Sequence, residues 1–163
     1  MEREDGNVYP EEKVKRITTR WALISLAIAL VATMAACGGD TGIEIADAWG
    51  RPSPSVATAG AFFMTITNNG TENDALIGAD SPACGTVELH ESFMNDEGAM
   101  AMQPVAGGRI ALPAGGSAEL KQGGLHIMCI NKLQDFTEGA ELELTLEFEN
   151  AGDMPLNVEI REP

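Results

Sequence analysis

The stretch "ELELTLEFE", residues 141–149, alternates polar, mostly acidic, and apolar side chains without interruption. Leu142, Leu144, Leu146 and Phe148 fall on one side of an extended chain, and Glu141, Glu143, Glu147 and Glu149 on the other. That period of two predicts a strand with one face buried and one face in water. "LNVEI", residues 156–160, repeats it after a turn at "AGDMP", and "AFFMTITN", residues 61–68, places Phe62, Met64 and Ile66 together. Shorter strands are expected at 43–49, 75–80, 86–93, 99–105, 109–112, 117–120 and 125–130. Turn residues recur between them as "RPSPS", "NNG", "NDEG", "PAGG", "QGG", "TEG" and "AGD". Beyond residue 36 no segment carries a helical period. Many short strands joined by regular turns predict one all-β domain, an antiparallel sandwich or barrel.

The N-terminus follows a different logic. Lys13, Lys15, Arg16 and Arg20 precede "WALISLAIALVATMAA", residues 21–36, which carries no charge, and Cys37 follows at once. A bilayer span needs about 20 apolar residues, so this shorter run reads as a secretory signal. Ala35 and Ala36 before Cys37 resemble the lipobox of bacterial lipoproteins. The expected organisation is a signal peptide at 1–36, a tether at 37–42 lipidated on Cys37, and a folded domain at 43–163. An uncleaved signal anchor is the alternative. Either way the domain is extracytoplasmic, and lipidation places it on the outer face of the cytoplasmic membrane.

From residue 37 onward the chain holds twenty acidic residues against five basic ones. That balance disfavours nucleic acid and anionic lipid headgroups as partners. Cys84 and Cys129 remain, and outside the cytoplasm two cysteines are expected to form a disulfide. Alternation raises an obstacle. Cys84 shares a strand face with His90, whereas Cys129 opposes His126, so the bridge requires a bulge or a strand end.

The chemistry of the chain concentrates between residues 84 and 130. Its two histidines, His90 and His126, lie in the same window as Met94, Met100, Met102 and Met128, four of the six methionines beyond residue 37. Residues i and i+2 of a strand share a face, which pairs Met100 with Met102 and His126 with Met128. Thioether sulfur is soft and neutral and suits Cu(I); imidazole serves Cu(I) and Cu(II) alike. Zinc and calcium draw thiolates or carboxylates instead. Core packing is the ordinary use of a strand methionine. Two histidines inside one methionine cluster weigh toward a metal.

These residues carry a family resemblance. "VELHES", "GAMAMQPV" and "GGLHIMC", with "ITNNG" and "LTLEFENAGDMPLNVEIRE" at either end, resemble the periplasmic PCu(A)C copper chaperones. The signature is a His, a Met about a dozen residues later, then His-x-Met. The resemblance implies a cupredoxin-like Greek-key β-sandwich and a Cu(I) cargo. It also implies delivery to the Cu(A) site of cytochrome c oxidase, through subunit II or a Sco-type assembly factor, by a monomeric carrier. By motif position the ligands are His90, Met102, His126 and Met128. The spacing around Met102 is longer than the family pattern, which keeps Met100 as its alternative. Two other classes stand beside this one: a cupredoxin electron carrier and a lipoprotein interaction module without metal. An enzyme is not expected, because no nucleophile–base pairing or phosphate-binding loop is present.

Overall fold

A computed structural model of the chain describes residues 42–163. The segment expected to be a signal peptide, Cys37 and nearly all of the expected tether lie outside the described residues. The described residues form ten strands: β1 (Ile43–Gly50), β2 (Ala59–Asn68), β3 (Asp74–Asp80), β4 (Cys84–Met94), β5 (Met100–Pro104), β6 (Ile110–Leu112), β7 (Ser117–Leu120), β8 (Leu125–Lys132), β9 (Glu141–Phe148) and β10 (Gly152–Ile160). One short 3-10 turn, Ala106–Gly108, follows β5.

Hydrogen bonding runs through all ten in the order β5-β4-β8-β7-β2-β1-β10-β9-β3-β6, and β8 also pairs with β2. The sheet folds over on itself. β3 packs against β4, and β6 comes back over β7 and β2, so the two halves enclose one core. Alternation decides who enters it. Leu142, Leu144, Leu146 and Phe148 of β9 are buried, as are Phe62, Met64 and Ile66 of β2. Each such side chain contributes about 1.5–3 kcal/mol on burial. The Phe62 and Phe136 rings meet at 5.2 Å between centroids. A Cβ on Gly60 would run into the Phe136 ring, so only glycine fits under it.

The β9–β10 turn is tighter than alternation predicts. β10 begins at Gly152, not at Leu156. The Asp74 carboxylate is the reason: it accepts hydrogen bonds from the backbone N–H groups of Ala75, Asn150 and Ala151. Gly152, at φ 78°, completes the reversal. Pro155 then sits inside β10 opposite Thr145. β1 reaches β10 only at Glu159 and Ile160, so no second neighbour needs the amide proton that proline lacks.

β7 and β8 run in the same direction, both antiparallel to β2, as two halves of one path. The path is stepped at Lys121–Gly124, a turn closed by Gly124 N–H to Lys121 O at 3.0 Å with Gly123 at φ 77°. Past this step β8 lies between β2 and β4, and its first residues are "LHIM".

Candidate metal centre

The antiparallel register of β4 and β8 sets His90 directly across from His126. Their rings meet edge to face, 5.9 Å between centroids. On the other side of β4, β5 pairs Pro104 with His90, Ser92 with Met102, and Met94 with Met100. Glu88 is the cross-strand partner of Met128, and Ala61 of β2 flanks Met128 from the far side. One sheet face therefore carries Glu88, His90, Ser92, Met94, Met100, Met102, His126 and Met128. Met102 stands one on-face step from His90 toward the hairpin tip. Met128 stands one step from His126 in the opposite direction. The two thioethers thus flank the imidazole pair.

The hydrogen bonds around the rings leave one nitrogen of each in reserve. His126 is buried, 4% exposed. Its Nδ1–H donates to the carbonyl of Gly124 at 3.0 Å, which leaves the lone pair on Nε2. His90 is held the other way round. Its Nε2–H donates to the Glu88 carboxylate at 2.8 Å. Its Nδ1 is buried and has no hydrogen-bond partner among the described residues. An unpaired acceptor inside a protein costs about 1–3 kcal/mol, which a metal ion would relieve. Second partners of this kind fix ring orientation in metal sites.

No group of three His, Cys, Asp or Glu side chains converges anywhere among the described residues. A set suited to zinc or to hard cations is therefore not assembled here. The soft side chains that share this sheet face with the two imidazoles are the thioethers of Met94, Met100, Met102 and Met128. Met100 and Met102 are each 58% exposed, on the edge strand β5. Met100 leans over the β7–β8 step, its Cε 3.8 Å from where a Gly123 Cβ would be. An open cavity of about 500 Å³ lies over this face, lined by His126, Met100, Met102 and Met128 on one side and by the Arg51–Pro54 segment on the other. Phe63, 6.3 Å from His126 between ring centroids, forms part of the floor.

Behind this face lies the disulfide. Sγ of Cys84 and Sγ of Cys129 are 2.05 Å apart, with Cα atoms at 5.4 Å. Both residues are in the core, on the side of β8 away from His126 and Met128. The parity obstacle is resolved at the strand ends. Cys84 is the first residue of β4 and leaves a turn closed by its own N–H to Ser81 O. Opposite Gly85, Asn131 takes up φ 54°, so alternation breaks between Cys84 and the rest of β4. Gly85 keeps this crossing uncrowded, since a Cβ there would approach Asn131 to 3.0 Å. With Cys129 on the core face, no thiolate is available to the histidines, and a blue-copper ligand set is absent among the described residues.

The β-sandwich has the cupredoxin-like fold of PCuAC domains. The copper-bound PCuAC domain from PmoF2 superposes with a TM-score of 0.61 at 24% identity, covering 75% of this chain and 94% of that domain. The apo PCuAC domain from PmoF1 gives 0.63 at 23% identity, with 75% and 95% covered. The Cu(I)-bound solution structure of DR1885 from Deinococcus radiodurans gives 0.57 at 20%, with 80% and 85% covered. At sequence level, residues 43–160 match the family model described as "Putative lipoprotein LpqE-like". The chain belongs to the LpqE-like family. A curated relative, "Putative lipoprotein Lxx21020" of Leifsonia xyli subsp. xyli (strain CTCB07), is 30% identical over 121 residues, 74% of this chain and 70% of its own length.

Proposed function

We propose that this domain is an extracytoplasmic Cu(I) carrier that holds its cargo with His90, Met102, His126 and Met128. The observation that carries the reading is the pair of cross-strand imidazoles. Each is locked by a hydrogen bond through one nitrogen and keeps the other free, with thioethers to either side. Two neutral imidazoles and two neutral thioethers add no charge, so the site favours the monovalent, soft ion. Copper-bound structures of PCuAC domains from PmoF2 and of DR1885 support a copper cargo on this fold. The lipoprotein descriptions of the family and of the Leifsonia relative support a lipid anchor, for which Cys37 is the candidate.

The chemistry is ligand exchange, with copper remaining Cu(I) throughout. Delivery to the Cu(A) site of cytochrome c oxidase, through subunit II or a Sco-type factor, completes the proposal. A tether of a few residues would keep the carrier within a few nanometres of a membrane-bound client and raise its effective concentration there.

The test is an anaerobic Cu(I) titration of residues 38–163, with X-ray absorption to count sulfur ligands. One equivalent with two sulfur scatterers is expected. His126→Ala should lower affinity by orders of magnitude while the domain stays folded. No binding at micromolar Cu(I) would sink the reading in favour of a metal-free interaction module.

A further inference from the structure

The cavity over the site is far too large for an ion. Its volume is about 500 Å³, whereas a water molecule's share of the liquid is about 30 Å³. Pockets that take small molecules run from about 300 to 1,000 Å³. Its charge is as unexpected as its size. From residue 37 onward the chain carries twenty acids against five bases, yet no aspartate or glutamate lines this cavity, and Arg51 stands on its rim.

Arg51 differs from the other four cations of the domain. Arg109 pairs with Glu149, and Lys121 with Glu119. Lys132 binds the carbonyls of Ser53 and Pro54, and Arg161 lies over the Trp49 ring. The guanidinium of Arg51 has no partner among the described residues, while its backbone N–H is fixed to Ala61 O at 3.0 Å. The segment behind it is built to stay in place. Ser53 N–H donates to Phe136 O, the Ser53 hydroxyl donates to Ala59 O, and Lys132 Nζ clamps the far side. The cavity thus offers soft ligands along one wall and an unpaired guanidinium held on the other.

We infer that this cavity receives Cu(I) as a small carboxylate-bearing thiolate complex, its carboxylate on Arg51 and its copper toward His126, Met102 and Met128. The inference rests on the proposed copper reading and adds the donor's chemistry to it. The step balances without redox change. Copper–thiolate bonds break, bonds from copper to imidazole nitrogen and thioether sulfur form, and the departing thiolates take protons from water. The spare volume is where the leaving ligand sits during the exchange.

The whole-molecule charge and the cavity make opposite predictions, which makes the test decisive. Cu(I) would be presented in excess mercaptopropionate, mercaptoethanol or cysteamine. These thiols match in size, and their copper complexes are strongly anionic, weakly anionic and cationic. Transfer to residues 38–163, followed by stopped flow under anaerobic conditions, should be fastest from mercaptopropionate. Arg51→Gln should slow that transfer about fivefold, the scale of one exposed ion pair, and leave transfer from mercaptoethanol unchanged. Arg109→Gln removes the same net charge far from the cavity and should do neither. Cysteamine as the fastest donor, or equal effects of the two arginine variants, would overturn the inference while leaving the copper reading standing. No uptake from any of the three would likewise overturn the inference, while the direct Cu(I) titration decides the copper reading.

Discussion

Reducing the Cys84–Cys129 bridge should cost the domain a large share of its stability. The bond closes a loop with a sequence separation of 45. In the chain-entropy model that length corresponds to about 4 kcal/mol at room temperature. Whole domains are stable by only about 5–15 kcal/mol, so the bridge accounts for a quarter of the total or more. Both sulfurs are buried, and the Cα separation of 5.4 Å falls in the ordinary range for a bridge. The assay is urea unfolding of oxidised and reduced residues 38–163, followed by Trp49. That indole is the sole tryptophan of the segment and lies 4.6 Å from the Phe63 ring between centroids. With a urea slope of about 2 kcal/mol/M, the midpoint should fall by about 2 M on reduction. The same bond ties the start of β4 to β8 behind the two histidines, so a Cys84→Ala, Cys129→Ala protein, which has no thiols to take the ion itself, should also bind Cu(I) more weakly. Two free thiols in the unfolded, oxidised protein would refute the pairing. A midpoint unmoved by reduction would refute the energetic argument.

The remaining expectations concern single residues. Met102→Leu should weaken Cu(I) binding at least tenfold more than Met100→Leu in a competition titration, because the register places Met102 one step from His90 and Met100 two; the reverse ranking would move the ligand to Met100. Glu88→Ala should free the His90 ring, mix its tautomers in nitrogen NMR spectra and lower Cu(I) affinity about tenfold. An unchanged His90 spectrum would show that the ring is held by something else. Cys37→Ser should release the protein from membranes and weaken oxidase maturation at low copper, with copper binding in vitro intact. A variant that stays in the membrane fraction would indicate an uncleaved signal anchor.

What was legible in the sequence follows from which interactions are local. Period-two burial is a property of neighbours along the chain, and it places every expected strand within a few residues of the observed one. β9 is read correctly because its leucines answer to the core face of the sheet and its glutamates to the solvent face. The start of β10 was missed because its cause, the Asp74 carboxylate, is seventy-odd residues away in sequence. The disulfide obstacle is of the same kind. Strict alternation puts Cys84 and Cys129 on opposite faces, and only the left-handed Asn131 and the turn at Ser81 bring them together. The His-x-Met pair on β8 was readable, since i and i+2 share a face. That His90 stands directly across from His126 is a matter of register between β4 and β8, which nothing local encodes. Glu88 was missed as a partner of His90, although E-x-H on a strand is the same period-two signal.

The site joins parts of unequal rigidity, and that asymmetry bears on transfer. His126 is buried, His90 is mostly so, and each is tied by a hydrogen bond to its own strand segment. β4 and β8 are interior strands, with neighbours on both sides. Met102, by contrast, is largely exposed on β5, which ends the sheet and pairs only with β4. Methionine is unbranched and has three rotatable bonds. In a Cu(I) carrier of this construction the imidazoles define where the ion sits, and the thioether on the edge strand is the ligand that swings away first. An incoming donor or acceptor then meets copper from the β5 side of the open cavity, without any movement of the buried histidines. On this argument, substitutions at His126 should change equilibrium affinity, whereas substitutions at Met102 should change the rate of copper exchange more than the affinity. Stopped-flow exchange with a Cu(I) chelator separates the two. A Met102→Leu protein that binds weakly but exchanges at the original rate would place the yielding ligand elsewhere.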